Sequence, residues 1–226
     1  MTTFVVKQSE ASFEARFTSP MFALLGPTGL DLHQNMFLSL KKHGLTLGDI
    51  RVESGSSNLS AANVTYGLNT FNAFVRVWMD RVEVSFADFR RVSLDQMLEI
   101  TGIALDVIQR LVQDIEMAQY TAAWTMHGIP QDVEISQFMA QYVKNAPEEL
   151  GAVSGSGVVY YFGPEAERRF SSFIIDNSAV VPGAVFLRAI VGFDGTMLPM
   201  AHSPSAARDY LSKMLASMHL EPSWEN

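Results

Sequence analysis

Alternating apolar and polar residues predict strands in several short stretches of the chain. Phe13, Ala15 and Phe17 share one side of an extended segment, and charged or hydroxyl residues occupy the other side. Four further stretches rich in β-branched and aromatic residues follow, separated by short polar breaks: DIRVE (49–53), ANVTYGL (62–68), NAFVRVWM (72–79) and RVEVSFADF (81–89). This spacing is typical of a meander of antiparallel strands.

Apolar residues at helical spacing predict two helices in the same half. The shorter helix begins near Thr28 and carries Leu32 and Met36 on its apolar stripe. The longer one begins after Ser93, where Gln96 completes a capping box. The predicted order is therefore strand, short helix, meander and long helix.

The second half of the chain repeats this order with one strand fewer. A strand-like stretch at 117–128 precedes a helix that begins near Asp132. Three more strands and a helix capped by Ser203 complete the half, and the strands are predicted at 158–162, 168–176 and 183–193.

A paired motif supports the repeat. SGSS at 54–57 and SGSG at 154–157 stand 100 positions apart, each between a short helix and a meander. A phosphate loop needs a helix directly after its glycines, so we interpret both stretches as flexible connections. The chain is thus predicted to consist of two similar halves, 1–116 and 117–226, which form either two units or one continuous domain.

The duplicated β-α-β(3-4)-α order resembles the topology of the TATA-box-binding-protein fold. The resemblance covers most of the chain and concerns element order, because no sequence motif of that family is present. It implies an α+β fold with a curved antiparallel sheet and helices on one side. Where that family has a basic concave face, this chain is acidic, so the resemblance implies a shape without an activity.

Composition narrows the classes of function. Of 226 residues, 48% are hydrophobic and 18% are charged, which predicts a folded globular protein. The net charge of −8 argues against nucleic acid and anionic membranes as partners. The chain has no cysteine, and we find neither a signal-peptide pattern nor an apolar run long enough to span a membrane. We therefore expect a cytoplasmic protein.

Catalytic and metal-binding motifs are absent from the sequence. The five histidines show no H-E-x-x-H spacing, and no serine stands in a G-x-S-x-G elbow. Aspartates at strand ends are typical of turns. We therefore predict no cofactor and no metal, and we lean against an enzyme.

The second face of the strands carries the more informative signal. Phe74, Arg76 and Trp78 share one side of a predicted strand, where a solvent-exposed face would be mostly polar. The strands that contain Tyr160 and Phe173 also carry apolar residues on both sides. Either the chain itself covers both faces, or one face is an interface.

The leading hypothesis is a non-catalytic protein-interaction or assembly module. Its binding surface would be an aromatic sheet face that includes Phe74, Arg76, Trp78, Tyr160 and Phe173, and its partner would be another protein or a second copy of the chain. The alternative is a small apolar-ligand-binding protein, or an enzyme, with a pocket between the sheet and the helices.

Overall fold

The computed structural model describes residues 2–53, 59–88, 92–142, 157–165, 168–217 and 219–224. Stretch 54–57, and all but the last residue of 154–157, lie outside these ranges. The predicted α+β class is confirmed, because the described residues form a large, mainly antiparallel sheet of ten strands that packs against helices.

The helices and strands follow one another along the chain with these bounds: β1 Thr2–Phe17, α1 Pro27–Leu40, β2 Ile50–Glu53, β3 Asn63–Leu68, β4 Ala73–Trp78, β5 Arg81–Phe86, α2 Leu94–Leu111, β6 Met117–Pro130, α3 Ile135–Ala140, β7 Val158–Phe162, β8 Arg168–Asn177, β9 Val185–Asp194, α4 Ser203–Ser217 and β10 Leu220–Trp224.

The sheet is built outward from a central pair of long strands. Its order is β2-β3-β4-β5-β1-β6-β9-β8-β7, and β10 pairs with β1 in parallel near the start of the chain. Strands β1 and β6 run antiparallel, with Ala11 opposite Trp124 and Phe13 opposite Ala122. The sheet therefore ends at β2 on one side and at β7 on the other.

One face of the sheet carries the hydrophobic core. Phe13, Val84, Val75 and Tyr66 lie on this side of neighbouring strands, and each exposes 1% or less of its surface. Leu32 of α1 and Ile100 of α2 are fully buried in the same cluster. We call this side the covered face and the opposite side the open face.

Local signals explain where the long helix begins and why the first helix differs from its prediction. The Ser93 hydroxyl accepts from the Gln96 backbone N–H, and the Gln96 side chain accepts from the Ser93 backbone N–H, as the capping box predicts. Helix α1 begins at Pro27 after Gly26, slightly before the predicted Thr28 cap, because proline is well suited to the first helical position.

The first strand is much longer than its pattern predicts. It extends back to Thr2 because this part of β1 pairs with β6 on one side and with β10 on the other. No helix within the described ranges combines the length and the apolarity that a membrane span requires.

Candidate functional site

The five residues predicted to form the interaction surface lie on two faces. Phe74 and Arg76, which are half-buried, and Trp78, which exposes 9% of its surface, alternate along β4 with core residues and therefore point to the open face. Tyr160 and Phe173 are opposite each other across β7 and β8. Phe173 exposes 1% of its surface within the core, so this pair belongs to the covered face.

The open face of β4 and β5 carries a stack of arginines and aromatic rings. The Arg76 guanidinium carbon lies 4.6 Å from the centre of the Phe74 ring and 5.4 Å from the centre of the Trp78 ring. The Arg81 guanidinium carbon lies 4.2 Å from the Trp78 ring centre. Since the faces of aromatic rings attract cations, these contacts hold both guanidinium groups against the sheet.

The two stacked arginines differ in their acidic neighbours. Arg81 Nη1 lies 3.1 Å from Asp80 Oδ1, and Arg81 Nε lies 3.8 Å from Glu14 Oε2. Arg76 Nε instead donates to the Thr65 hydroxyl at 3.0 Å. Within the described ranges, neither Arg76 nor Arg51 of β2 has a carboxylate oxygen within 4.0 Å.

Glu83 is the acid directly across from Arg76 in the sheet. Burial raises the pKa of the Glu83 carboxyl, and the positive charge of Arg76 opposes that rise. Within the described ranges, Arg76 hydrogen-bonds through Nε, and its terminal nitrogens remain available to a further acceptor.

A cleft of about 240 Å³ opens beside Arg76 toward the end of the sheet. Its lining combines cationic, hydroxyl and aromatic groups, including Arg51, Thr65, Phe74 and Arg76. Asp49 also lines the cleft, but its carboxylate accepts from the Thr46 hydroxyl at 2.6 Å and from Asn69 Nδ2 at 2.6 Å. These hydrogen bonds lower the pKa of Asp49, and the bond from the Thr46 side chain has the largest effect.

Sequence reasoning missed Arg51, Thr65 and Arg81 as parts of this surface. The position of Arg81 could have been predicted from the sequence, because a two-residue turn at Met79 and Asp80 joins β4 to β5 and brings Arg81 next to Trp78. The positions of Arg51 and Thr65 could not be predicted in this way, since their neighbours are set by the register between β2, β3 and β4.

A second depression lies at the same end of the sheet and is mainly apolar. It has a volume of about 230 Å³, and Leu24, Val64, Val77 and Met79 line it together with His33 of α1. His33 Nδ1 is hydrogen-bonded to the hydroxyl of the fully buried Tyr66. Burial lowers the pKa of His33 and raises that of Tyr66, so both groups are neutral at pH 7.

These two places offer binding chemistry of different kinds. The open-face cleft presents guanidinium donors to an anion and an aromatic ring to an apolar group, whereas the apolar depression presents a neutral imidazole. Across the described part of the chain, no three His, Asp or Glu side chains come together as a ligand set for a metal ion.

Comparisons with solved structures give neighbours of low identity and low TM-score. No family model matches the chain, and no curated protein matches it. A rolling circle replication initiator protein from Geobacillus stearothermophilus has 12% identity and a TM-score of 0.40, over 92% of this chain and 83% of that one. The regulatory subunit of aspartate kinase from Thermus flavus has 9% identity and a TM-score of 0.20, over 92% and 98%.

The likeness to the replication initiator corrects one expectation. The acidic net charge led us to exclude a nucleic-acid partner, and that exclusion was wrong, because a replication initiator protein is among the chain's structural neighbours. A nucleic-acid partner therefore stays among the candidates. At a TM-score of 0.40 the likeness assigns no activity to this chain.

Proposed function

We propose that the chain is a non-catalytic protein-interaction module whose open sheet face binds an acidic, partly apolar segment of a protein partner. The observation that carries this proposal is the environment of Arg76. Its guanidinium lies between the rings of Phe74 and Trp78, and no described carboxylate oxygen comes within 4.0 Å of it. The aromatic contacts hold the cation in place without neutralising it.

Charge and shape support an acidic segment as the occupant. A carboxylate in the cleft would meet the guanidinium groups of Arg51 and Arg76, which match its two oxygens. An apolar side chain beside that carboxylate would contact the ring of Phe74, which is half-buried. Arginine and aromatic residues together are typical of the residues that dominate binding energy at protein interfaces.

The position of the cleft supports a polypeptide as the occupant. The cleft reaches β2, which ends the sheet and pairs with β3 alone among the described strands. The outer edge of such a strand offers backbone hydrogen bonds to an extended chain. A bound segment would thus gain affinity from β2 and specificity from Arg51 and Arg76.

Fluorescence anisotropy tests the proposal with a labelled short peptide of alternating glutamate and phenylalanine. The wild-type chain is expected to bind it. Arg76→Ala is expected to weaken binding about tenfold, as is typical when a hot-spot residue of an interface is truncated. Arg110→Ala is the matched control, because Arg110 is an exposed helix residue paired with Asp106 at 2.9 Å. This control is expected to bind like the wild type.

Two further arms of the same experiment separate the partner classes. If a single-stranded oligonucleotide binds and the peptide does not, the proposed protein partner is wrong. A dimer detected by light scattering, and dissociated by Arg76→Ala, would make the partner a second copy of the chain and would likewise contradict the proposal. Equal peptide binding by wild type and Arg76→Ala would remove Arg76 from the site.

We infer, in addition, that the fold is a duplicated unit of the TATA-box-binding-protein type. The order β1-α1-β2-β3-β4-β5-α2 is followed by β6-α3-β7-β8-β9-α4, and the first strands of the two runs are antiparallel neighbours at the centre of the sheet. The boundary between 116 and 117 coincides with the start of β6. Superposition of the second run on the first tests this inference.

The apolar depression beside His33 supports a second candidate function, the binding of a small apolar ligand. Its lining is largely apolar, and His33, Glu53 and Asn63 add a few polar groups, a combination typical of ligand pockets. A fatty-acid and steroid panel should then raise the melting temperature of the wild type. Val64→Trp, which would fill the depression, should abolish that rise, and the absence of any rise in the wild type would rule the candidate out.

A further inference from the structure

A second arginine site lies in the other half of the chain, on the covered face. Arg168 is the first residue of β8 and exposes 8% of its surface. Its Nη1 donates to the Tyr210 hydroxyl at 2.6 Å and also to the Ser171 hydroxyl, and these two hydroxyls are 2.7 Å apart. The guanidinium carbon lies 4.8 Å from the centre of the Tyr210 ring. Arg168 thus connects β8 to α4.

The hydrogen bonding of Arg168 is incomplete on one edge. Nη2 donates to Glu165 Oε2 at 3.0 Å, but the buried Nε has no acceptor within the described part of the chain. A buried donor without an acceptor costs free energy, and a buried cation costs more unless it is fully paired. Nε and Nη2 form the edge of a guanidinium that matches the two oxygens of one carboxylate.

Glu165 occupies this edge with a single oxygen and is poorly fixed. Its side chain is 77% exposed, although its backbone exchanges two hydrogen bonds with Arg168, both 2.9 Å long. An exposed carboxylate is hydrated and loses little when it moves away. The Glu165 side chain can therefore be displaced from Nη2 while its backbone keeps both hydrogen bonds to Arg168.

A cavity of about 370 Å³ adjoins Arg168 between β8, β9 and α4. Phe193 and Ala206 give it apolar wall, Tyr210 and Lys213 add a hydroxyl and a cation, and Glu165 and Asp209 are its acids. Its volume lies in the range that small-molecule sites occupy. Arg168 therefore stands in the wall of this cavity with one buried donor, Nε, that has no acceptor among the described residues.

We propose that this cavity binds a small carboxylate-containing molecule. The ligand carboxylate takes Nε and Nη2 of Arg168 together and displaces Glu165, which occupies the site in the free protein. The body of the ligand then contacts Phe193 and Ala206. This site is separate from the open-face cleft, because it lies on the opposite face and in the other half of the chain.

Titration with sodium acetate, followed by the NMR signal of the Arg168 Nε–H group, tests the proposal. In Glu165→Ala the signal is expected to shift and saturate, with an apparent affinity about tenfold tighter than in the wild type, because the internal competitor is gone. Asp106→Ala is the matched control, since Asp106 is the exposed partner of Arg110. It should titrate like the wild type, in which acetate is expected to shift the Arg168 signal at higher concentration.

Three outcomes would overturn the proposal. The first is that acetate causes no saturable shift of the Arg168 signal in the wild type. The second is that the apparent affinity of Glu165→Ala for acetate is no tighter than that of Asp106→Ala. The third is that inorganic phosphate at matched ionic strength shifts the signal as much as acetate does. If Glu165→Ala does not fold, the wild-type titrations with acetate and phosphate decide the question. A purely structural role for Arg168 predicts that its Nε–H signal is insensitive to acetate.

Discussion

Arg76 and Arg168 lie on opposite faces of one sheet, and different groups surround their guanidinium groups. Arg76 lies on the open face between two aromatic rings, with one hydrogen bond to the Thr65 hydroxyl. Arg168 lies under α4, where two hydroxyls and a carboxylate accept from it. Ring faces leave the charge of Arg76 available, whereas the hydroxyl groups hold Arg168 inside the protein.

The comparison teaches that an arginine's surroundings, more than its presence, decide how much it contributes to stability in addition to any binding role. Arg76 is only half-buried, so it keeps part of its hydration and its contacts contribute less to stability than those of a fully buried cation. A buried cation is expensive, so its hydrogen bonds contribute to the fold. We therefore expect substitutions of Arg76 to change peptide binding with little effect on stability, and substitutions of Arg168 to lower stability as well as to remove the proposed carboxylate site.

The strongest test of this difference is a matched pair of phenylalanines. Phe173→Ala removes a ring that is 1% exposed, and the free energy of unfolding is expected to fall by about 3–4 kcal/mol through lost burial and the resulting cavity. Phe74→Ala removes a half-buried ring on the open face and should lower it by about 1 kcal/mol or less. Urea unfolding measures both, and equal losses would contradict the assignment of the two faces.

The two arginines provide the next test. Arg168→Met breaks the charged hydrogen bonds to Ser171 and Tyr210 and is expected to lower the free energy of unfolding by about 2 kcal/mol. Arg76→Met should lower it by about 0.5 kcal/mol or less, because its single hydrogen bond is on a solvated face. The comparison fails if Arg76→Met proves the more destabilising of the two.

The pH dependence of stability probes a titratable group of the covered face. Burial lowers the pKa of His33 below its usual 6.5, so the unfolded chain takes up a proton that the folded chain does not. Stability is therefore expected to fall as the pH decreases below about 6.5 and to level off below the folded pKa. Burial also lowers the pKa of His43 and His127, which adds to the same trend.

His33→Gln isolates the part of this trend that belongs to His33. The variant should show a shallower loss of stability between neutral and acidic pH than the wild type. Tyr66→Phe is the control, because it removes the hydrogen bond to His33 and keeps the burial that lowers its pKa. An unchanged slope in His33→Gln would show that His33 does not contribute.

The smallest expected effect distinguishes the two arginines of the open face. Arg81→Met removes the second cation that contacts the Trp78 ring, but Arg81 is already paired with Asp80. We expect two- to threefold weaker binding of the glutamate–phenylalanine peptide, because the binding free energy lost should be about that of one exposed cation–π contact. A loss as large as that of Arg76→Ala would mean that ion pairing does not occupy Arg81.

Element positions were largely predictable from the sequence. The strand predicted at 158–162 is β7 residue for residue, and the capping box at Ser93 marks the start of α2. These features depend on local periodicity and local hydrogen bonds, which the sequence displays directly. The start of β1 was missed, since its pairing with β10 joins the two ends of the described chain.

The candidate sites were only partly predictable, because they depend on register between distant strands. A shift of one position moves every side chain to the other face. Tyr160 and Phe173 were grouped with Trp78 by composition, yet pairing puts them on the covered face. Arg168 was missed because of an irregular register. Arg168 is opposite Phe193 and Phe170 is opposite Gly192, so the two residues lie on opposite faces despite their spacing.

The central claim is that the open face beside Arg76 is the binding surface, and NMR mapping of peptide binding tests it most directly. Backbone amide signals would be followed while the glutamate–phenylalanine peptide is added to the wild-type chain. We predict that the largest shifts fall on β2, β3 and β4 around Arg51, Thr65 and Phe74. Shifts concentrated around Arg168 and Tyr210, or spread evenly over the surface, would contradict the claim.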